Sequence, residues 1–144
     1  MKTVAELLRA KPAGRVVKVR PDQSVLEAIK VLASEDVGAA VVMSGSTMVG
    51  IVSERDYTRK VILHGRSSDT TRVDEIMTPH VVCVTPRSTT RDCMALMSDK
   101  GIRHLPVIDD TRVVGMVSIR DIVDDIIAEQ AFTIEQLEHY ISGQ

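Results

Sequence analysis

A helix-like pattern, a hairpin-like pattern and a second helix start follow one another in the first half of the chain. Residues 24–34 open with a Ser-x-x-Glu capping pattern and then place apolar side chains at helical spacing, which predicts a helix. Apolar β-forming residues at 39–43 and 48–52 flank a Ser-Gly-Ser turn, which is typical of a β-hairpin. A further helix is predicted to begin at Ser53, where the second strand ends.

The same order of elements returns in the second half. MVGIVSERD at 48–56 comes back as VVGMVSIRD at 113–121, an offset of 65 positions. Residues 4–8 and 73–77 also share a pattern, so each half is expected to begin with a short helix. Each half then contains a strand, a helix, two strands and a helix, which is too little to bury its own apolar faces. We therefore expect the two halves to pack together.

Composition narrows the classes of function. A length of 144 residues with 44% apolar and 2% aromatic residues favours a mixed helix and strand fold with an aliphatic core. The net charge of -2 and the scarcity of aromatic residues argue against nucleic acid as a partner. No apolar run approaches the roughly 20 residues of a membrane span, and the N-terminus does not resemble a secretory signal. We expect a cytoplasmic protein without membrane contact.

Cysteine and histidine show no spacing that would suit a metal. Cys83 and Cys93 lack a CxxC arrangement and are interpreted as small buried thiols. The histidines are scattered, at His64, His80, His104 and His139. We therefore predict no metal site.

The Ser-x-Arg-Asp corner at 53–56 and 118–121 has two interpretations. Ser and Asp in this spacing form a helix cap, which needs no ligand. However, the arginine opposes the helix dipole, and Gly50 and Gly115, three residues before each serine, are expected to let a ligand approach the backbone. A hydroxyl and a guanidinium at a helix start suit phosphate, and a carboxylate suits ribose hydroxyls. That combination describes a nucleotide, and a cap alone is the alternative.

Taken together, the strands that end in VRP and VTP, the IRHLPVID hairpin and the repeated GxVSxRD helix start resemble the CBS domain, the cystathionine-β-synthase module. The resemblance covers about residues 16–128 and indicates a tandem pair of the stand-alone bacterial type. It implies an α/β (α+β) fold of two tandem β-α-β-β-α repeats packed as a pseudo-two-fold pair, with short N-terminal and C-terminal helices. We divide the chain into repeat 1 with the N-terminal helix (1–70), repeat 2 (71–129) and a C-terminal amphipathic helix (130–144).

In CBS pairs each cleft takes its Ser and Asp from one repeat and further residues from the other. The resemblance therefore implies a first cleft made of Ser53, Arg55, Asp56, Thr85, Ile102, Arg103 and His104. It implies a second cleft made of Ser118, Arg120, Asp121, Arg20, Val37, Gly38 and Ala39. Gly38 and Ala39 stand where the first cleft has Arg103 and His104, so the second cleft is expected to bind phosphate less well. For His104, a structural role at the strand start is the alternative.

The implied function is a non-catalytic regulatory module that binds an adenine nucleotide and reports it through a change of shape or association. AMP is the leading ligand, and ADP, ATP or NAD would use the same ribose and phosphate contacts. A nucleotide-processing enzyme with His104 acting near Ser53 or Ser118 is a second hypothesis, although no catalytic motif such as G-x-S-x-G is present. A structural dimerisation domain with vestigial clefts is a third.

The C-terminal segment predicts a separate helix. Phe132 and Leu137 are spaced as a hydrophobic staple around Thr133, so a new helix is expected to start at Ile134. An apolar face on such a helix must be covered, either by its own chain or by a partner. Since CBS pairs commonly associate as two-fold dimers, the resemblance favours a homodimer.

Overall fold

The structure, a computed structural model, describes residues 2–10 and 16–142 of the 144-residue chain. Two short irregular helices join the regular elements: a π-helical turn at Thr58–Ile62 and a 3-10 turn at Val73–Glu75. In chain order the regular elements of these ranges are α1 (Val4–Ala10), β1 (Lys18–Val19), α2 (Val25–Glu35), β2 (Ala39–Ser44), β3 (Thr47–Ser53), α3 (Glu54–Tyr57), α4 (Thr90–Lys100), β4 (His104–Asp109), β5 (Arg112–Ser118) and α5 (Ile119–Ile141).

Each half builds a small sheet with the same strand pairing. In the first half, β2 pairs in parallel with β1 and antiparallel with β3. In the second half, β4 and β5 form an antiparallel hairpin, and Val84 makes a single parallel bridge to Val107. That bridge lies 65 positions after the parallel pair of Val19 and Val42 in the first half. The two halves therefore share one topology, as the repeated pattern predicts.

Local caps fix the ends of the two central helices. Ser24 caps α2 and Thr89 caps α4, and each side-chain oxygen accepts the backbone N–H three residues later at 3.1 Å. At the other ends, Asp36 and Gly101 take left-handed conformations with φ of 54° and 64°. These two positions are again 65 residues apart, so the repeat extends to the backbone conformation that stops each helix.

The two repeats exchange their leading segments. α1 opens the first repeat in sequence, yet it carries Val4 and Leu7 into the core of the second repeat. The segment of the 3-10 turn opens the second repeat, yet its Val73 and Ile76 are buried in the core of the first. Burial of one such side chain is worth about 1.5–3 kcal/mol, so this exchange binds the repeats to each other. Both predicted leading helices exist, but the second is a single turn.

The exchanged segments explain the paired glycines of the hairpins. A Cβ on Gly50 would lie 2.6 Å from the sulfur of Met77, and one on Gly115 would lie 2.7 Å from a methyl of Leu8. A side chain at either position would therefore collide with the segment that crosses the hairpin. The expectation that Gly50 and Gly115 leave room for a ligand is wrong, because protein atoms fill that space.

The C-terminal segment continues α5 without a break. The helix runs from Ile119 to Ile141, so the expectation of a new helix at Ile134 is wrong. The hydroxyl of Thr133 donates to the carbonyl of Glu129 at 3.0 Å and stays in the helix interior, where it cannot act as a cap. All of the described residues from 127 onward are exposed. In the described ranges, no helix combines the length and the apolar character that crossing a membrane requires.

Candidate functional site

Both Ser-x-Arg-Asp corners are helix caps. The N–H and hydroxyl of Ser53 donate to Oδ2 of Asp56 at 2.9 and 3.0 Å, and the Asp56 N–H donates back to the Ser53 hydroxyl at 3.2 Å. Ser118 and Asp121 make the same reciprocal pair, at 2.8 and 3.2 Å. The capping interpretation is therefore correct for both corners, and any ligand role is additional to it.

Each corner is fixed to the start of its own hairpin. The Glu54 N–H donates to the carbonyl of Gly38 at 3.0 Å, and the Ile119 N–H donates to the carbonyl of Arg103 at 2.8 Å. These bonds place the first turn of the helix next to the residues that precede the hairpin. A ligand in that position would therefore meet side chains of the corner and of a hairpin start together.

A cavity of about 650 Å³ opens between the first corner and the hairpin start of the second repeat. It brings together six of the seven residues predicted for the first cleft: Ser53, Arg55, Asp56, Ile102, Arg103 and His104. The seventh, Thr85, does not line this cavity. Its N–H donates to the hydroxyl of Ser88 at 3.1 Å, which holds it in the turn before α4.

Direct contacts between the repeats close one side of the cavity. The guanidinium of Arg55 donates to the carbonyl of Gly101 at 3.2 Å. A Cβ on Gly38 would lie only 3.3 Å from the imidazole of His104, so this ring packs against the first repeat's backbone. Residues of both repeats therefore hold the cavity in shape, and His104 takes part in that structural contact as well as facing the cavity.

The cavity has an apolar wall and a cationic part. The apolar side chains that line it are those of Ile51, Val81, Val82 and Ile102. The cationic side chains that line it are those of Arg55, Arg59, Lys60 and Arg103, and the carboxylates are those of Glu54 and Asp56. This surplus of positive charge occurs in a chain whose net charge is -2. The arrangement suits a ligand with one apolar or aromatic part and one anionic part.

Several cavity residues were not predicted from the sequence. Arg59 and Lys60 lie on the π-helical turn, four positions after Arg55 and Asp56, and helical spacing alone was enough to indicate them. His80 lies near the start of the second repeat, and no pattern in the sequence connects it to the corner.

In the part of the chain that the structure describes, several of the residues predicted for the second cleft are divided between two cavities. A smaller cavity of about 340 Å³ includes Val37, Gly38 and Arg120. Ser118 and Asp121 do not line it. Its charged side chains are those of Asp36, Glu54 and Arg120, so it has no surplus of cations.

Two further residues of the predicted second cleft lie elsewhere. Ala39, together with Gly38, lines the first cavity. The Nε of Arg20 donates to Asp22 at 3.2 Å, and the Arg20 side chain is 67% exposed. The structure therefore assembles the predicted first set far more completely than the second.

Burial favours the neutral thiol at both cysteines. Cys93 is buried in the core of the second repeat, and burial raises the pKa of its thiol to about 11. Cys83 is half-buried, and burial raises the pKa of its thiol as well. In the described part of the chain, no group of three or more His, Cys, Asp or Glu side chains could hold a metal ion.

Comparison with known proteins gives a consistent match. The CBS domain model matches residues 4–62 and 73–128. The mitochondrial CBS domain-containing protein CBSX3 of Arabidopsis thaliana is 38% identical over 149 residues, which covers 98% of this chain and 72% of that protein. The family model thus matches this chain twice, and the Arabidopsis protein aligns with nearly the whole length of this chain.

Solved structures share the whole architecture. A protein with CBS domains from Burkholderia ambifaria MC40-6 superposes with a TM-score of 0.87 at 46% identity, over 90% of this chain and 96% of that one. The CBS domain pair of the protein MJ0100, in complex with 5′-methylthioadenosine and S-adenosyl-L-methionine, superposes with a TM-score of 0.79 at 25% identity, over 90% and 98%. The predicted fold class, two tandem repeats of mixed α and β structure, is confirmed.

Proposed function

This chain belongs to the CBS domain family as two consecutive copies of the domain, and on that premise we propose that it is a regulatory module that binds an adenine nucleotide in the 650 Å³ cavity. The observation that carries the proposal is the cavity itself. It joins the Ser53–Asp56 corner to Arg103 and His104 and combines an apolar wall with a surplus of cations.

The cavity suggests a role for each part of the ligand. An adenine ring would lie against the apolar wall of Ile51, Val82 and Ile102. The ribose hydroxyls would donate to the carboxylate of Asp56, and the phosphate would accept from Arg103 and other cations of the cavity. MJ0100, a relative of the same architecture, binds two adenosine-containing ligands, which supports the adenosine part of the proposal.

AMP is the leading ligand because it is the smallest molecule that has all three parts. ADP, ATP and NAD share them and are alternatives. The predicted second site at Ser118–Asp121 is expected to be weaker, since Gly38 and Ala39 stand where the first cavity has Arg103 and His104.

The test is a ligand-dependent thermal shift of the full chain. At about one hundred times its dissociation constant, a ligand adds about 2.7 kcal/mol to the free energy of unfolding, which raises Tm by on the order of 8 °C for this length. We expect this shift with AMP, ADP, ATP or NAD and much smaller shifts with guanine and pyrimidine nucleotides. No shift with any of the four would contradict the proposal and favour a purely structural module.

The chain supplies its own matched control. The double substitution Arg103→Gly and His104→Ala installs the residues that occupy the equivalent positions 38 and 39 of the first repeat. This variant should lose most of the stabilisation by AMP while it keeps its fold.

Incubation of the wild-type protein with ATP and NAD tests the enzyme hypothesis, because only an enzyme would form product.

We also propose that the protein is a homodimer. The observation that favours it is a stripe of exposed apolar residues on α5, here called the α5 stripe. Its members are Ile127, Ile134, Leu137 and Ile141, between 55% and 81% exposed and spaced by seven, three and four positions. This spacing is that of a helix seam, and a two-fold axis would lay one stripe on the same stripe of a second copy. Ile62, the equivalent of Ile127 in the first repeat, is also 53% exposed.

A further inference from the structure

One ammonium group joins the proposed binding carboxylate to the leading segment of the second repeat. The Nζ of Lys60 lies 3.1 Å from Oδ1 of Asp56 and donates to the carbonyl of Ile76 at 2.8 Å. Ile76 is fully buried in the core of the first repeat, so its carbonyl is a fixed anchor. Lys60 is therefore held in place from two sides at the edge of the cavity.

The geometry of Asp56 leaves one oxygen for a ligand. Its Oδ2 already accepts from the N–H and the hydroxyl of Ser53. A ribose hydroxyl would therefore approach Oδ1, the oxygen beside Lys60. An ammonium has three N–H donors, and Asp56 and Ile76 use two of them. The third can reach toward an anionic group that enters with the ribose.

The second corner lacks this arrangement. The position 65 residues after Lys60 is Asp125, whose side chain is only 2% exposed and pairs with Nζ of Lys2 at 2.9 Å. Asp121 thus has an aspartate four positions later, where Asp56 has a lysine. The second corner therefore has no counterpart of the Lys60 ammonium at this position of its helix.

We propose that Lys60 is a specificity-determining residue that makes the first cavity selective for anionic adenosine ligands, an inference that rests on the proposed function. Lys60 offsets the negative charge of the Asp56 carboxylate, whose Oδ1 lies 3.1 Å from Nζ. A phosphate can then bind near Asp56 without like-charge repulsion. The anchor at Ile76 keeps the ammonium in the cavity when the ligand enters.

The experiment is a charge series of ligands titrated calorimetrically into wild type and Lys60→Met. The series is adenosine, AMP, ADP and ATP, which share the nucleoside and differ in charge. We expect Lys60→Met to leave adenosine affinity within two-fold of wild type and to weaken AMP about ten-fold, the lower end for a charge-assisted hydrogen bond, and ATP by more. Lys60→Arg should restore most of the AMP affinity.

Controls separate this inference from the proposed function. Lys30→Met removes the same charge from the exposed face of α2, outside both cavities, and should change no affinity. If wild type binds none of the four ligands, both proposals fail. If wild type binds and Lys60→Met weakens adenosine and ATP equally, or weakens neither, the inference about Lys60 is overturned and nucleotide binding stands. If Lys60→Met does not fold, Lys60→Gln is titrated with the same expectations.

Discussion

Adding one methyl group to each of the paired glycines tests how the repeats are held together. Gly50→Ala and Gly115→Ala are equivalent in sequence but meet different obstacles. The new Cβ at position 50 would lie 2.6 Å from the Met77 sulfur and 2.9 Å from the carbonyl oxygen of Thr78. At position 115 it would meet only the side-chain end of Leu8, at 2.7 and 2.8 Å.

The difference in stability follows from what can move. Thr78 is held to Ile51 by two backbone hydrogen bonds of 2.8 and 3.0 Å, so its carbonyl cannot retreat without breaking them. Overpacking of this kind costs about 1–3 kcal/mol. Alanine has less conformational freedom than glycine in the unfolded chain, which stabilises the folded state by about 0.4–1 kcal/mol. We expect a net loss of about 1–2 kcal/mol for Gly50→Ala and a change near zero for Gly115→Ala, because the half-buried Leu8 side chain can rotate.

The assay is chemical denaturation of both variants beside wild type, with thermal melting as a second measurement. A loss of 1–2 kcal/mol corresponds to roughly 3–6 °C in Tm at this length. The segment that carries Thr78 also lines the 650 Å³ cavity, so Gly50→Ala should weaken AMP binding as well. A loss for Gly115→Ala equal to or larger than that for Gly50→Ala would refute the reasoning.

Two further predictions concern binding and assembly. Asp56→Ala should weaken AMP about 10- to 100-fold by calorimetry, and Asp121→Ala should weaken it much less; equal losses would contradict the ranking of the two sites. A chain that ends at Ala131 should sediment as a monomer with an unchanged fold, because no described residue from 127 onward is buried. Leu137→Asp should also give a monomer, whereas Tyr140→Asp, outside the α5 stripe, should leave the dimer intact. If the dimer persists in the truncated chain and in Leu137→Asp, the α5 stripe is not the interface.

The sequence predicted the parts of the fold that depend on neighbouring residues. Residues only a few positions apart in sequence determine each hairpin turn, helix cap and helix face. Because the repeat has an offset of 65 residues, each such prediction in one half also applies to the other half. The exchange of α1 and the 3-10 turn could not be predicted in this way. An apolar face at Val4 and Leu7 indicates that the segment must be buried, but both cores offer an aliphatic surface of the same kind.

The helix expected at Ile134 failed for a related reason. Thr-x-x-Gln is a capping pattern only when the backbone before the threonine is extended. Here the preceding residues are good helix formers and α5 passes through them, so the Thr133 hydroxyl bonds back to Glu129. The neighbouring sequence, and not the motif, decided between a cap and a helix interior.

The candidate site shows the same limit at the level of chemistry. The motif fixed Ser53 and Asp56 because a reciprocal cap requires those two residues, and the second repeat kept them for the same reason. The hydrogen bonds of a cap do not involve the residue four positions after the aspartate. The two repeats can therefore differ at this position, which is Lys60 in the first and Asp125 in the second. On the proposed function, that position sets the charge beside the carboxylate, so two corners with one backbone geometry would differ in the ligands they prefer. The duplicated motif therefore describes the shared cap, and any difference in binding between the corners depends on the unshared residues around it.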